Sequence, residues 1–188
     1  MGFGYIQNHG ISNESIEGMM EATRTFHALS MEEKMKIELN ENHRGFIPMH
    51  SATDIRSEIE VAKRPNQSES FIMMREADPQ DPDVLASVFL AGPNQWPAQM
   101  PGFRTRAMKY HCALSDVACQ LLQAFFRVIG TDFIELKAHF DRPTTFLRLL
   151  HYPKRRTDTT LNYYGSAPHV DFGCITLLMQ DQCGLQVQ

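Results

Sequence analysis

The chain has no C-x-x-C pair, no long run of like charge, and nothing near the roughly 18 consecutive apolar residues that a membrane span needs. Each absence removes a class. Without paired cysteine motifs, Cys112, Cys119, Cys174 and Cys183 offer neither a zinc ribbon nor a disulfide framework. They are expected to be buried thiols without a redox role, Cys112 and Cys119 packing on one helical face. A net charge of −4 and a pI near 6.0 leave no basic footprint for nucleic acid. The N-terminus has no basic segment followed by an apolar one, so a cytoplasmic protein with no membrane partner is the expectation. What remains, 188 residues with 43% hydrophobic and 21% charged, suits one soluble domain with a real core.

Local patterns divide that domain. "GFGYIQNHGIS" predicts a short strand, Phe3 to Asn8, stopped by Asn8-His9-Gly10. A helix follows, capped by Ser12 or Asn13, with Ile16, Met19, Met20, Thr23 and Phe26 on its buried face. Ser30 and Glu33 have capping-box spacing and start a second, shorter helix. From Asn40 to about Pro101 turn signals dominate, with a strand expected at 68 to 74 and a solvated loop at 76 to 83. The strongest helical pattern covers about 101 to 129: Phe103, Ala107, Tyr110, Leu114, Val117, Leu121, Phe125 and Val128 recur in steps of three and four, and Gly130 ends it. A short helix is expected near 133 to 139. After it, "TFLRLLHYP", "CITLLMQ" and "LQVQ" are strand candidates, the first two divided by the basic loop "KRRTDTTLNYYGS". Helices first and strands after favour an α+β domain with a largely antiparallel sheet.

Two constellations carry chemistry. His169 and Asp171 stand two apart, so in extended backbone they point to one side and present a nitrogen and an oxygen ligand suited to Fe(II), Mn(II) or zinc. Composition alone produces roughly 0.4 such pairs in a chain like this, so on spacing alone a surface turn, with Asp171 as a cap and His169 solvated, is the simpler reading. In "FLRLLHYP", Phe146, Arg148, Leu150 and Tyr152 share one face, while Leu147, Leu149 and His151 share the other. An Arg and a Tyr in an apolar wall call for an anionic partner: either an acid as ligand, or an internal carboxylate for Arg148 with Tyr152 a core aromatic.

Taken in order, "GFGYIQNHGIS", "LSMEEKMKI", "RGF", "ESF", "GPNQWP", "LRLLHYP" and "HVDFGCITLLMQDQCGLQV" resemble the iron(II)- and 2-oxoglutarate-dependent dioxygenases of the isopenicillin N synthase-like superfamily. The resemblance implies a fold in which helices pack on a double-stranded β-helix (jelly roll), here incomplete at the C-terminus. Residues 1–140 would be its mainly helical N-terminal region and 141–188 the first part of the jelly-roll core, within a single structural domain. It implies Fe(II) as cofactor, 2-oxoglutarate as cosubstrate, and molecular oxygen and a small-molecule substrate as partners. His169 and Asp171 would be two members of a 2-His-1-carboxylate triad, which leaves three metal positions open. Tyr152 matches a tyrosine that helps hold 2-oxoglutarate. Leu150 stands where plant members often carry asparagine and cannot make that residue's hydrogen bond, which keeps a 2-oxoglutarate-independent, isopenicillin N synthase-like oxidase as the alternative.

In that family the second histidine ligand and an Arg-x-Ser pair follow the His-x-Asp at a distance greater than the stretch from Asp171 to Gln188. The expectation is a chain cut at both ends, inactive on its own and prone to self-association through an exposed strand edge. A non-catalytic fragment that binds a partner through that edge is the further alternative. No internal histidine is expected to substitute: His151 faces away from Tyr152, and His9, His27, His43, His50, His111 and His139 fall in turns or helices.

Overall fold

The computed structural model describes residues 2–51, 65–154 and 164–186. Its elements run α1 (Asn13–His27), α2 (Met31–Met35), β1 (Gly45–Ile47), β2 (Glu69–Met74), α3 (Pro82–Leu85), α4 (Phe103–Val128), α5 (Phe133–Leu136) with a following 3-10 turn (Lys137–His139), and β3 (Phe146–His151). The three strands form one antiparallel sheet in the order β1-β2-β3. This agrees with the α+β expectation, although the described residues form a three-stranded sheet and not a closed jelly roll.

Both N-terminal helices start where the side chains dictate. The Ser12 hydroxyl accepts the Ser15 N–H, and the Ser30 hydroxyl accepts the Glu33 N–H. The apolar stripe of α1, Met19, Ala22 and Phe26, meets Phe103, Ala107 and Tyr110 of α4 and Phe46, Phe71, Met73 and Leu149 of the sheet. Phe26 sits at the centre, 5.1 Å from Phe71 and 5.8 Å from Phe103 between ring centroids. The "RGF" turn is fixed by Gly45: its φ is +120°, and a Cβ there would lie 2.3 Å from the Ile37 carbonyl oxygen. That close approach lets the Phe46 N–H donate to Ile37 at 2.7 Å and seats β1 against the chain leaving α2.

Several expectations are corrected. Residues 3 to 8 form no strand; Tyr5 is fully exposed, and nothing among the described residues pairs with that backbone. "CITLLMQ" and the described part of "LQVQ" are likewise outside any ladder, with Leu178, Met179 and Leu185 exposed; an apolar run becomes a strand only where a neighbour takes its hydrogen bonds. The second half of α4 keeps its period but not its burial, since Phe125 and Val128 are exposed. Cys112, Cys174 and Cys183 are exposed and Cys119 is only partly covered. Cys112 lies two residues from buried Tyr110, about 200° round the helix, hence on its outer side. The loop at 76 to 83 runs into α3, which starts at Pro82, and is held by ion pairs, Arg75 to Asp81 and Asp83 at 3.1 and 2.6 Å and Arg142 to Asp83 at 3.1 Å. Most of the basic loop, residues 155–163, lies outside the described residues. Among the described residues no helix is long and apolar enough to cross a membrane.

Candidate metal centre

The face parity of β3 decides what its residues do. Leu147 and Leu149 turn toward the helices, where Leu149 is buried, while Phe146 and Arg148 are exposed on the opposite face. Arg148 therefore does not sit in the helix-facing core, and among the described residues it meets no carboxylate: its Nε donates to the Ser70 hydroxyl at 3.1 Å. Tyr152, one residue past the strand, is half-exposed, and its ring lies over Gly165; a Cβ on that glycine would come within 2.7 Å of the ring. Gly165 is thus what allows Tyr152 to lie against the segment that carries His169.

That segment hangs from the lead-in to β2. The Gln67 N–H donates to the Tyr164 carbonyl at 2.9 Å, and the Ala167 N–H donates to Asn66 Oδ1 at 3.1 Å. The Ala167 carbonyl in turn accepts from His169 Nδ1 at 2.7 Å. A carbonyl can only accept, so Nδ1 is the nitrogen that donates there, and Nε2 is the ring atom left to face a metal. Nε2 lies 3.2 Å from Asp171 Oδ1. Two ligands at right angles on a divalent cation, each bonded at about 2.1 Å, stand about 3.0 Å apart. An imidazole with its far N–H on a backbone carbonyl, next to a carboxylate at that separation, fits Fe(II) in donor type and spacing. Protonated, the same ring would instead form a half-exposed ion pair.

A second cluster lies on the helix side of the sheet, and sequence reasoning missed it. His27 Nδ1 and His151 Nδ1 each lie 3.0 Å from Glu69 Oε1, and the ligand atoms of all three residues fall within 4.8 Å of one another. Among the described residues this is the one His/Cys/Asp/Glu triplet with metal-ligand spacing. Lys34 changes its meaning. Its ammonium donates to both Glu69 oxygens at 3.0 and 2.8 Å and to the His27 carbonyl at 3.2 Å, with Lys34 and Glu69 both buried. The ammonium holds the place a cation would take, so the cluster reads as a charge hub joining α1, α2, β2 and β3.

The hub perturbs its members. Burial pushes the Glu69 carboxyl up, but hydrogen bonds from Lys34, His151 and His27 outweigh it and hold the group below the usual carboxylate value. Burial lowers His27 below the ordinary 6.5 against the pull of Glu69. Both His27 nitrogens face acceptors, since Nε2 lies 3.2 Å from the Leu149 carbonyl, so full satisfaction takes the imidazolium that burial disfavours.

Comparison with known proteins decides the family. A family profile described as non-haem dioxygenase in morphine synthesis N-terminal matches residues 1–99. The chain belongs to the iron(II)- and 2-oxoglutarate-dependent dioxygenases. It is 35% identical over 198 residues to the 2-oxoglutarate-Fe(II) type oxidoreductase hxnY of Emericella nidulans, covering 99% of this chain and 54% of the relative. It is 32% identical to the 2-oxoglutarate-dependent dioxygenase caaD of Aspergillus niger, covering 99% and 56%. This dioxygenase chain therefore spans about half the length of the curated relatives it matches. Its fold is similar to that of a 2OG-Fe(II) oxygenase family protein from Caulobacter crescentus, with a TM-score of 0.63 at 22% identity over 79% of this chain and 46% of the other. A full-length Neurospora crassa protein solved in complex with alpha-KG gives 0.62 at 23% identity over 78% and 43%. Fe(II) and 2-oxoglutarate are the cofactors of this family.

Proposed function

We propose that this chain carries two of the three metal ligands of an Fe(II)- and 2-oxoglutarate-dependent oxygenase acting on a small molecule, with His169 and Asp171 as the ligands and residues 141–188 as the opening of its jelly-roll core. The observation that supports this most is the pairing of His169 Nε2 with Asp171 Oδ1 at 3.2 Å while Nδ1 is committed to the Ala167 carbonyl, within a chain of this family.

Bound Fe(II) with 2-oxoglutarate would couple oxygen reduction to decarboxylation of the oxo acid to succinate, supplying the oxidising power for hydroxylation, desaturation or ring closure. The protein's share is binding and orientation. His169 and Asp171 would hold the ion from one side and, with a third protein ligand, would leave three positions for oxygen and the bidentate oxo acid. Tyr152, whose ring lies against Gly165, would hold the cosubstrate through its hydroxyl. Leu150 and Phe146, on the same side of β3, offer that face an apolar wall. Among the described residues no third His, Asp, Glu or Cys joins the pair at ligand spacing. The 188-residue chain should accordingly bind Fe(II) weakly and form no succinate.

Titration with Co(II), an air-stable stand-in, tests the assignment. Binding by the chain that is lost in both H169A and D171A supports it; binding that neither substitution changes would remove it. In an enzyme carrying this chain, succinate formed from 2-oxoglutarate alongside substrate oxidation separates the reading from the 2-oxoglutarate-independent alternative.

A further inference from the structure

We infer that Arg148 is a specificity-determining residue that takes the carboxylate of an acidic substrate with an apolar body, an inference that rests on the oxygenase reading above. Arg148 lies on the face of the sheet turned away from the helices and is exposed there. Ile72 stands opposite it on β2, Phe146 and Leu150 lie two positions to either side of it on β3, and Ser70 pairs with Leu150. Among the residues that the three strands place on that face, Arg148 is the one charged group. Four residues further on, the chain reaches Tyr152, which ties this face to the place of the cosubstrate.

Ser70 orients the group. It is 1% exposed, and its hydroxyl accepts Arg148 Nε–H at 3.1 Å. A guanidinium holds its N–H donors in one plane, so engaging Nε sets that plane and leaves the Nη hydrogens for another acceptor. Among the described residues no carboxylate takes them. The outer edge of such a guanidinium presents two parallel N–H groups, which match the two oxygens of a carboxylate. The neighbours select the rest of the ligand. Phe146, Leu150 and Ile72 give the charge an apolar surround, and a mostly apolar surface with one oriented polar group covers an apolar body and fixes it by its polar end. A dicarboxylate such as 2-oxoglutarate suits that surround less well, because its second charge would lie against apolar side chains without a partner.

The test is titration of the metal-free 188-residue chain with benzoate, with its neutral counterpart benzamide, and with 2-oxoglutarate, read by ¹⁵N NMR of the backbone amides. The expected result is a benzoate response centred on residues 146 to 150, with benzamide binding about 10-fold or more weaker. Benzoate affinity should fall about 10-fold or more in R148M, and by less in R148K, which keeps the charge and loses the fork. R127M, which removes an exposed arginine of α4, should leave it unchanged. Equal responses to benzoate and benzamide, parent benzoate affinity in R148M, or an equal loss in R127M would overturn the inference. Tighter binding of 2-oxoglutarate than of benzoate, lost in R148M, would give Arg148 to the cosubstrate and overturn the substrate class. The comparison of benzoate with benzamide needs only the parent chain, so it decides the matter should R148M not fold. Benzoate binding at Arg148 together with Co(II) binding that H169A and D171A leave intact would instead sink the ligand assignment, so the two failures are distinguishable.

Discussion

Substituting Glu69→Gln removes the single negative charge around which Lys34, His27 and His151 are arranged. Glu69 is 4% exposed and Lys34 is 5% exposed, so the ammonium left behind has no water to turn to. Gln keeps the shape and one accepting oxygen, but the bonds from Lys34 at 2.8 and 3.0 Å cease to be bonds between opposite charges. Removing one partner of a buried pair costs about 3–5 kcal/mol, because the penalty is that of the uncompensated charge. With 1 kcal/mol worth about 2–4 °C in a chain of this size, E69Q should lower the melting temperature by roughly 6–20 °C. The double variant E69Q/K34M should lose less than the sum of its single variants, since deleting the ammonium relieves the charge that E69Q strands. Urea denaturation of the four proteins measures this coupling directly. A loss under about 1 kcal/mol in E69Q, or strictly additive effects, would show that the hub does not hold the helices to the sheet in the way described.

Acid should destabilise the protein in two stages. His27 and His111, both lowered chiefly by burial, take up protons in the unfolded chain before the folded one, so stability falls as pH drops below 6.5. Glu69, held low by its hub, adds a further loss as pH falls below 4.5 toward its depressed folded value. Melting curves from about pH 8 down to 4 check the order, and a flat profile between about pH 7 and 5 would contradict it. Gly45→Ala should cost about 3 kcal/mol, from its positive φ together with the 2.3 Å approach to Ile37, and should be among the most damaging changes to an alanine anywhere in the chain. The exposed apolar side chains Val170, Phe172, Leu178, Met179 and Leu185 should drive concentration-dependent association; light scattering that finds a monomer at all concentrations would refute this.

Features set by neighbours in sequence were legible before the fold was. Ser12 and Ser30 cap helices because the acceptor and the N–H it serves are three residues apart. The spacing of Met19 and Phe26, or of Phe103, Ala107 and Tyr110, needs only the helical period. Partners brought in by the fold were not legible. The hub joins residues 35 apart at Lys34 and Glu69 and 122 apart at His27 and Leu149, and no local pattern announces those distances. Its best signal was parity: His151 shares a face with Leu149, so once Leu149 is in the core a titratable ring follows it there in need of a partner. The first strand and "CITLLMQ" were misread for the opposite reason, since β-propensity describes a segment and a ladder describes a pair. The His-x-Asp spacing could be read directly because both groups lie within three residues; the Asn66 side chain that ties Ala167 to the lead-in of β2 lies 101 positions away.

The most direct measurement is Co(II) binding to the 188-residue chain compared across H169A, D171A, H27A and H151A. With His169 and Asp171 as ligands, and Lys34 filling the place beside Glu69, binding disappears in H169A and D171A and persists in H27A and H151A. Binding that survives H169A and D171A but disappears in H27A or H151A would put the metal at Glu69 and contradict the assignment.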